Sequence, residues 1–141
     1  MLIRQIFANC ALHQIPLNIP NDPRGKLSVI EAMRDVPFAI ERVYFVTDTP
    51  SDLKRGHHAH AKLEQYAVCV AGSCVFDIED GRGGQDSVTL DAPELGLYMG
   101  PLLWHVMRDF TPNCVLLVLA NAHYDEGDYI RDYATFREQT R

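Results

Sequence analysis

The sequence predicts an all-β protein folded as a sandwich or a barrel, and three observations support this fold class. Short segments rich in β-branched, aromatic and aliphatic residues recur along the 141 residues. Clusters of Gly, Pro, Asn and Asp separate these segments. Helical periodicity is almost absent before residue 128. Many short strands with turn signals between them are typical of sandwiches and barrels.

The predicted strands follow one another along the chain. An apolar first strand lies at residues 2–7. The turn formers at 21–25 precede a strand predicted over 26–30. Gly72 and the loop 80–84 act as turns between later strands. Those later strands are predicted over 40–47, 65–71, 73–79, 87–90, 95–99, 102–108 and 114–121.

Only the tail is predicted to be helical. Its apolar residues at 129, 130, 133 and 136 follow roughly helical spacing, and Asp128 is the predicted N-cap of a helix over 128–137. The sequence contains no internal repeat and no linker-like stretch. We therefore expect residues 1–141 to form a single domain, a normal size for one hydrophobic core.

The net charge of -6 argues against nucleic acid as a partner, because binding to a phosphate backbone requires a basic face. A small anionic ligand stays compatible with this charge, since a few local arginines can hold a diphosphate. The longest apolar run, residues 115–120, is too short to span a bilayer, and the first residues do not resemble a signal peptide. We expect a cytoplasmic protein with no membrane contact.

The four cysteines form neither a CxxC pair nor a zinc-ribbon spacing; they are Cys10, Cys69, Cys74 and Cys114. Three of them lie in apolar runs. We therefore expect small buried hydrophobic residues with reduced thiols.

Three of the six histidines fall within residues 57–60. In an extended strand, residues two apart point to the same face, so His58 and His60 are predicted to share one side and His57 the other. Two imidazoles on the inner wall of a small barrel would lie in a partly desolvated pocket. Their pKa values would then be near the working pH, as a general acid/base pair requires.

A second informative stretch covers residues 96–107. A Gly-Pro turn at 100–101 enters a strand that carries Trp104 and His105. We predict that Trp104 and Tyr98 form a flat apolar wall on which a base or a sugar ring rests.

Together, these residues resemble the two cupin motifs. The first is His58-x-His60-x-x-x-Glu64 followed by Gly72, and the second is Gly100-Pro101 with His105. The resemblance implies a jelly-roll barrel with the motifs on facing strands and, here, a short C-terminal helix. More narrowly, the chain resembles the WxcM-like group of nucleoside-diphosphate-sugar 3,4-ketoisomerases. The matching stretches are RVYFV (42–46), RGHHAHAKLEQ (55–65), GLYMGPLLWHVM (96–107) and YDEGDYIRDY (124–133).

The resemblance implies an isomerase that converts a nucleotide-linked 4-keto-6-deoxyhexose to its 3-keto isomer through an enediol. Thymidine diphosphate is the expected nucleotide, and a homodimer the expected assembly. His58 is the expected base and His60 its acid or shuttle partner, with no cofactor and no metal. The expected substrate contacts are Arg24, Arg42, Tyr44, Arg55, Gln65, Tyr98, Trp104, His105 and Arg108.

Two alternatives stay open from the sequence. A metal-dependent cupin enzyme could be built on His58, His60, Glu64 and His105, which are familiar metal-ligand types. A non-catalytic sugar-nucleotide-binding module could retain the same pocket. Metal content separates the first alternative from the ketoisomerase, and binding without turnover would identify the second.

Overall fold

The computed structural model describes residues 1–16 and 21–141, and within these ranges the chain forms two antiparallel sheets. The first sheet has the order β1 (Leu2–Phe7), β2 (Cys10–Gln14), β8 (Leu95–Met99), β5 (Gln65–Ala71), β10 (Val115–Ala120) and β3 (Arg42–Val46). The second has the order β11 (Tyr129–Ile130), β4 (Arg55–His60), β9 (Trp104–Arg108), β6 (Cys74–Glu79) and β7 (Gln85–Leu90). The predicted all-β class is confirmed.

Alternation of side chains fills the space between the two sheets. Along β5, Ala67 and Cys69 point inward, and along β6 Phe76 and Ile78 do the same. They belong to an apolar barrel core that also receives side chains from β2, β7, β8, β9 and β10. Each large aliphatic or aromatic side chain buried there contributes about 1.5–3 kcal/mol relative to an exposed one.

Each sheet also buries part of its outer face. On the first sheet, Tyr66 and Val68 are covered by Val36 and Phe38 from the long connection between β2 and β3. On the second sheet, Trp104 is covered by the C-terminal helix. Within the described residues, no helix has the length and apolar character that crossing a membrane requires.

Two predictions about the first third of the chain were wrong. Residues 26–30 do not form a strand, because they lie along the surface with Leu27 57% exposed. Conversely, β2 was not predicted, although it joins β1 to β8 in the first sheet. Its mixed sequence, Cys-Ala-Leu-His-Gln, has no clear alternation of apolar and polar residues, so only its neighbours in the sheet define it as a strand.

The predicted start of the C-terminal helix was also wrong. Helix α1 is Tyr133–Gln139, and its N-cap is Asp132, whose carboxylate accepts a hydrogen bond from the Thr135 N–H at 3.0 Å. Asp128 instead ends a short 3-10 helix and accepts hydrogen bonds from backbone N–H groups that follow β4. The residues after it extend as β11 and pair with β4, so they cannot begin a helix.

Candidate active site

A β-bulge in β4 determines which histidines face the barrel interior. Gly56 pairs with Val106, but the next pair joins His58 to His105, so His57 is an extra residue with no partner in the register. Gly56 and His57 both have positive φ, +95° and +57°. Cross-strand partners point to the same face, so the bulge places His58 beside the inward-facing His105. Without it, His57 would occupy that position.

Three imidazoles therefore meet on the inner wall. The His58 ring centroid lies 5.0 Å from that of His60 and 4.6 Å from that of His105. One nitrogen from each ring lies within 4.8 Å of the others. The Tyr129 ring completes the group, at 4.4 Å from His60 and 4.9 Å from His58. His60 and His105 are only 4% and 3% exposed, so the cluster is largely desolvated.

Backbone carbonyls define the tautomers of two of these rings. His58 Nδ1 lies 3.0 Å from the Gly56 carbonyl oxygen, and His105 Nδ1 lies 3.3 Å from the Leu103 carbonyl oxygen. A carbonyl oxygen only accepts, so each Nδ1 must carry a proton to make the bond. In the neutral rings, each Nε2 then has a free lone pair and can act as a base.

His60 has a different partner. Its Nδ1 lies 3.3 Å from Asp128 Oδ2, but neither ring nitrogen completes a hydrogen bond with favourable angles among residues 1–16 and 21–141. The Asp128 carboxylate is itself fixed, because it accepts the N–H groups of Lys62 at 2.8 Å and Leu63 at 3.2 Å. A carboxylate thus adjoins His60 from the rim of the cluster.

Burial lowers the pKa of all three histidines because it disfavours the charged imidazolium. For His105, desolvation together with the charges of its two neighbours lowers the pKa to about 3. For His60, burial and then His58 lower the pKa, whereas Asp128 opposes this shift. Burial is also the largest cause of the lowered pKa of His58. The cluster is therefore neutral at physiological pH.

We expect the free energy of unfolding to fall as the pH drops below about 6.5, the ordinary histidine pKa. In that range the histidines of the unfolded chain bind protons, whereas those of the folded cluster stay neutral because their pKa values are lower. Acid therefore favours unfolding. Each histidine contributes at most about 1.4 kcal/mol per pH unit. Urea unfolding between pH 7.5 and 5 measures the slope, and His105→Gln should flatten it. An unchanged slope in that variant would contradict the assigned pKa of His105.

Three of the predicted substrate contacts line the interior near the histidines. Gln65 Nε2 donates to the Tyr44 hydroxyl oxygen at 2.6 Å, and burial raises the pKa of Tyr44 to about 12. Tyr44 therefore keeps a phenol proton that it can donate. The Arg42 guanidinium lies 5.6 Å from the Tyr44 ring, and its Nε is buried without a hydrogen-bond partner in the described ranges.

A cavity of about 200 Å³ adjoins this group. Arg42, His60, Asp128 and Tyr129 are among its lining residues. Arg55 lies at the start of β4, and its charge acts on Tyr44, where it opposes the rise in pKa. The neutral His60 and the Arg42 guanidinium border the cavity itself, and His58 and Tyr44 lie next to these two lining residues. This arrangement can take a proton from a carbon acid and stabilise the oxyanion that results.

The structure does not bring four other predicted residues to the histidine cluster. Tyr98 faces the outer side of the first sheet and donates to Glu64 Oε1 at 2.6 Å. Trp104 packs under α1, with its ring 5.5 Å from that of Phe136. Because alternation turns His105 inward, it must turn Trp104 outward.

The other two are arginines that form ion pairs at the surface. Arg108 lies on the outer face of β9, and its Nε is 2.6 Å from Asp77 Oδ2. Arg24 is 81% exposed and bonds Asp22 in an external turn. In this arrangement neither guanidinium borders the histidine cluster.

The four-ligand set of the metal-dependent alternative is not assembled. Glu64 is held by Tyr98 and by Asn121 Nδ2, at 2.8 Å from its Oε2, and it does not join the three histidines as a possible ligand. Of the four ligands in this alternative, the three histidines still have a mutual spacing that could hold a metal ion.

Two residues of the site were missed from the sequence. Asp128 and Tyr129 lie in the matching stretch 124–133, and the helix predicted over 128–137 includes both. The available signal was an acid followed by an aromatic residue inside a stretch that matched the ketoisomerases. Pairing of β11 with β4 brings both residues to the histidines.

Comparison with known proteins places this geometry in a family. Residues 8–141 match the family model described as FdtA: WxcM-like, C-terminal. The curated TDP-4-oxo-6-deoxy-alpha-D-glucose-3,4-oxoisomerase of Aneurinibacillus thermoaerophilus is 50% identical over 117 residues, which cover 83% of this chain and 84% of that protein.

Two solved structures have the same fold. A variant of the 3,4-ketoisomerase QdtA from Thermoanaerobacterium thermosaccharolyticum, in complex with TDP-4-keto-6-deoxyglucose, is similar with a TM-score of 0.90 and 40% identity over 95% of each chain. The TDP-quinovose 3,4-ketoisomerase WlaRB from Campylobacter jejuni has a TM-score of 0.88 and 38% identity, over 94% of this chain and 99% of that one. The predicted cupin barrel is confirmed, and the chain belongs to the WxcM-like, C-terminal (FdtA) family.

Proposed function

We propose that this protein is a sugar-nucleotide 3,4-ketoisomerase that converts a TDP-linked 4-keto-6-deoxyhexose to its 3-keto isomer. The observation that carries the proposal is the neutral histidine cluster, in which His58 directs a free Nε2 lone pair away from its bond to Gly56. The relatives support the substrate class, since one is named for TDP-4-oxo-6-deoxyglucose and another is bound to TDP-4-keto-6-deoxyglucose.

The chemistry begins with a proton next to a ketone. His58 Nε2 takes the C3 proton, the C–H electron pair forms a double bond between C3 and C4, and the carbonyl oxygen becomes an oxyanion. Protonation at C4 and transfer of the hydroxyl proton from O3 to O4 then give the 3-ketone. Electrons and atoms balance within the sugar. A positioned base typically contributes about 10²–10⁴-fold in rate to such a step.

Donors near the histidines can stabilise the enediolate. Tyr44 retains its proton, and its hydroxyl oxygen already accepts from Gln65, so its own hydrogen is available for the sugar oxygen. The buried Arg42 Nε has an unused hydrogen. Donors placed in a desolvated site act strongly on a developing charge, because little water competes with them.

Asp128 is proposed as a positioning residue for His60. Its carboxylate favours a proton on His60 Nδ1, which leaves Nε2 free to exchange a proton with the substrate or with His58. We expect Asp128→Asn to lower kcat by about 10- to 100-fold, the range typical for loss of a carboxylate that orients a histidine, with little change in KM.

The pH profile of kcat tests this role. Asp128 raises the pKa of His60, so Asp128→Asn should move the limb of the profile that reports His60 to lower pH. Asp132→Asn is the matched control, because Asp132 caps the nearby helix α1 through the Thr135 N–H and is not among the residues that line the cavity with His60. Equal effects of the two substitutions would indicate a structural role for Asp128.

The deciding experiment is proton NMR of the purified protein with TDP-4-keto-6-deoxyglucose in deuterated water. We expect a 3-keto product with deuterium at C4, and its couplings will give the C4 configuration. Metal analysis of the same sample distinguishes the metal-dependent alternative from the ketoisomerase, because only the former requires a stoichiometric metal ion. Tight binding without exchange or product would support the non-catalytic binding module instead.

We also propose a homodimer located in the cytoplasm. The edge strand β3 exposes Val43 and Phe45, 55% and 67% exposed, and the terminal strand β1 exposes Leu2 and Ile3. Such surfaces are typical of association sites. The four free thiols suit a reducing compartment. Light scattering after gel filtration at micromolar concentration should give twice the chain mass, and a monomeric mass would exclude the dimer.

A further inference from the structure

Three buried thiols meet at the end of the barrel away from the histidines. Cys69 Sγ lies 3.5 Å from Cys74 Sγ and 3.8 Å from Cys114 Sγ, and all three sulfurs lie within 4.8 Å of one another. Their exposed fractions are 0%, 0% and 4%. Cys69 is four residues along β5 from Gln65, or about 13 Å, so this group is separate from the candidate active site.

Two tight turns bring these sulfurs together. Gly72, with φ +64°, turns the chain from β5 to β6, and a Cβ on it would lie 2.7 Å from the Cys114 Cα. The absence of a side chain thus lets the turn before β10 approach β5. The Cys114 N–H donates to the Thr111 carbonyl oxygen at 3.0 Å, and the Thr111 hydroxyl oxygen accepts from Ser73 N–H at 2.9 Å. The thiols come from three separate segments in a fixed arrangement.

We propose that Cys69, Cys74 and Cys114 form a three-coordinate binding site for a soft monovalent cation, of which Cu(I) is the biological example. A metal–sulfur bond of about 2.3 Å places three sulfurs about 4.0 Å apart around a trigonal ion. The observed separations need only small changes to reach this value. Thiolate ligands select Cu(I) over hard cations, and among the described residues no fourth ligand joins the group to complete a tetrahedral zinc site.

The test is an anaerobic titration of the full chain with Cu(I) held by a chromogenic competing chelator. We expect one Cu(I) per chain with sulfur ligands by X-ray absorption, and an ultraviolet thiolate-to-copper band. Cys69→Ser should remove this ion. Cys10→Ser is the matched control, since Cys10 is 0% exposed in the same core but lies outside the cluster. Cys114→Ser provides a second test if Cys69→Ser does not fold.

Three results would overturn the proposal. One is the absence of Cu(I) transfer from the chelator, and another is copper with nitrogen ligands alone, which would locate it at the histidines. The third is unchanged sulfur-bound copper in both Cys69→Ser and Cys114→Ser. Sulfur-bound copper that persists in His58→Asn would support the thiol site, because it separates the two clusters. None of these outcomes depends on the proposed isomerase activity.

Discussion

Replacing His58 by Asn is expected to lower kcat by about 10²–10⁴-fold while nucleoside diphosphate binding is preserved. The Asn amide is smaller than the imidazole and is not a base at neutral pH, so it cannot take the C3 proton. Loss of the ring also removes packing against His105 and Tyr129, but no charge is lost, because burial keeps the imidazole neutral. Turnover assays and calorimetry with TDP give the two quantities.

The matched control for this variant is His57→Asn. His57 adjoins His58 in sequence but is exposed and lies in the bulge with φ +57°, a conformation that Asn tolerates. It should keep nearly full activity. If both variants lose activity equally, the effect comes from the strand and not from the base. Normal turnover by His58→Asn would exclude His58 as the base.

Gly56→Ala is expected to reduce both stability and activity. The added Cβ would lie 2.7 Å from the His105 carbonyl oxygen, and φ is +95°. The neighbouring strand must then move or the bulge must change shape, and either movement displaces His58. We expect kcat to fall by at least about tenfold, since a displacement of 1 Å in an active site can cost about 10²-fold.

Gly83→Ala separates backbone strain from collision. Gly83 has the same φ of +95°, but a Cβ added there would meet no other part of the described chain within 4 Å. It should show only the strain of a positive φ, about 1 kcal/mol, with unchanged kcat. Urea unfolding should show that Gly56→Ala lowers the free energy of unfolding by at least about 1 kcal/mol more than Gly83→Ala does. Equal stabilities would mean that the contact with β9 does not constrain the bulge.

The sequence predicted the shared face of His58 and His60 correctly, but not the reason for their orientation. Strand alternation relates these two residues to each other wherever the strand begins. It does not say which face is inward. The bulge at His57 decides that question, and it depends on pairing with β9, which is a long-range contact. Gly56 was the only local sign of the irregularity.

Trp104 shows how the same rule could have been applied further. Once His105 is assigned to the interior, alternation sends Trp104 to the outer face, where α1 covers it. The predicted start of the C-terminal helix was wrong for another reason. Local spacing favoured a helix from Asp128, but pairing of Tyr129 and Ile130 with β4 overrides that preference. Sheet pairing involves residues far apart in sequence, so single-sequence periodicity does not reveal it.

The C-terminal helix α1 helps to keep the histidine cluster assembled, because it covers the outer face of the two strands that carry His58 and His105. Strands β4 and β9 carry His58 and His105 on one face and Ala59 and Trp104 on the other, and Phe136 of α1 closes that second face. Detachment of the helix would expose Trp104 to water and free the two strands to separate. We therefore expect the amide hydrogens of β4, β9 and α1 to exchange with solvent as one cooperative unit, so that catalytic competence ends when the helix opens.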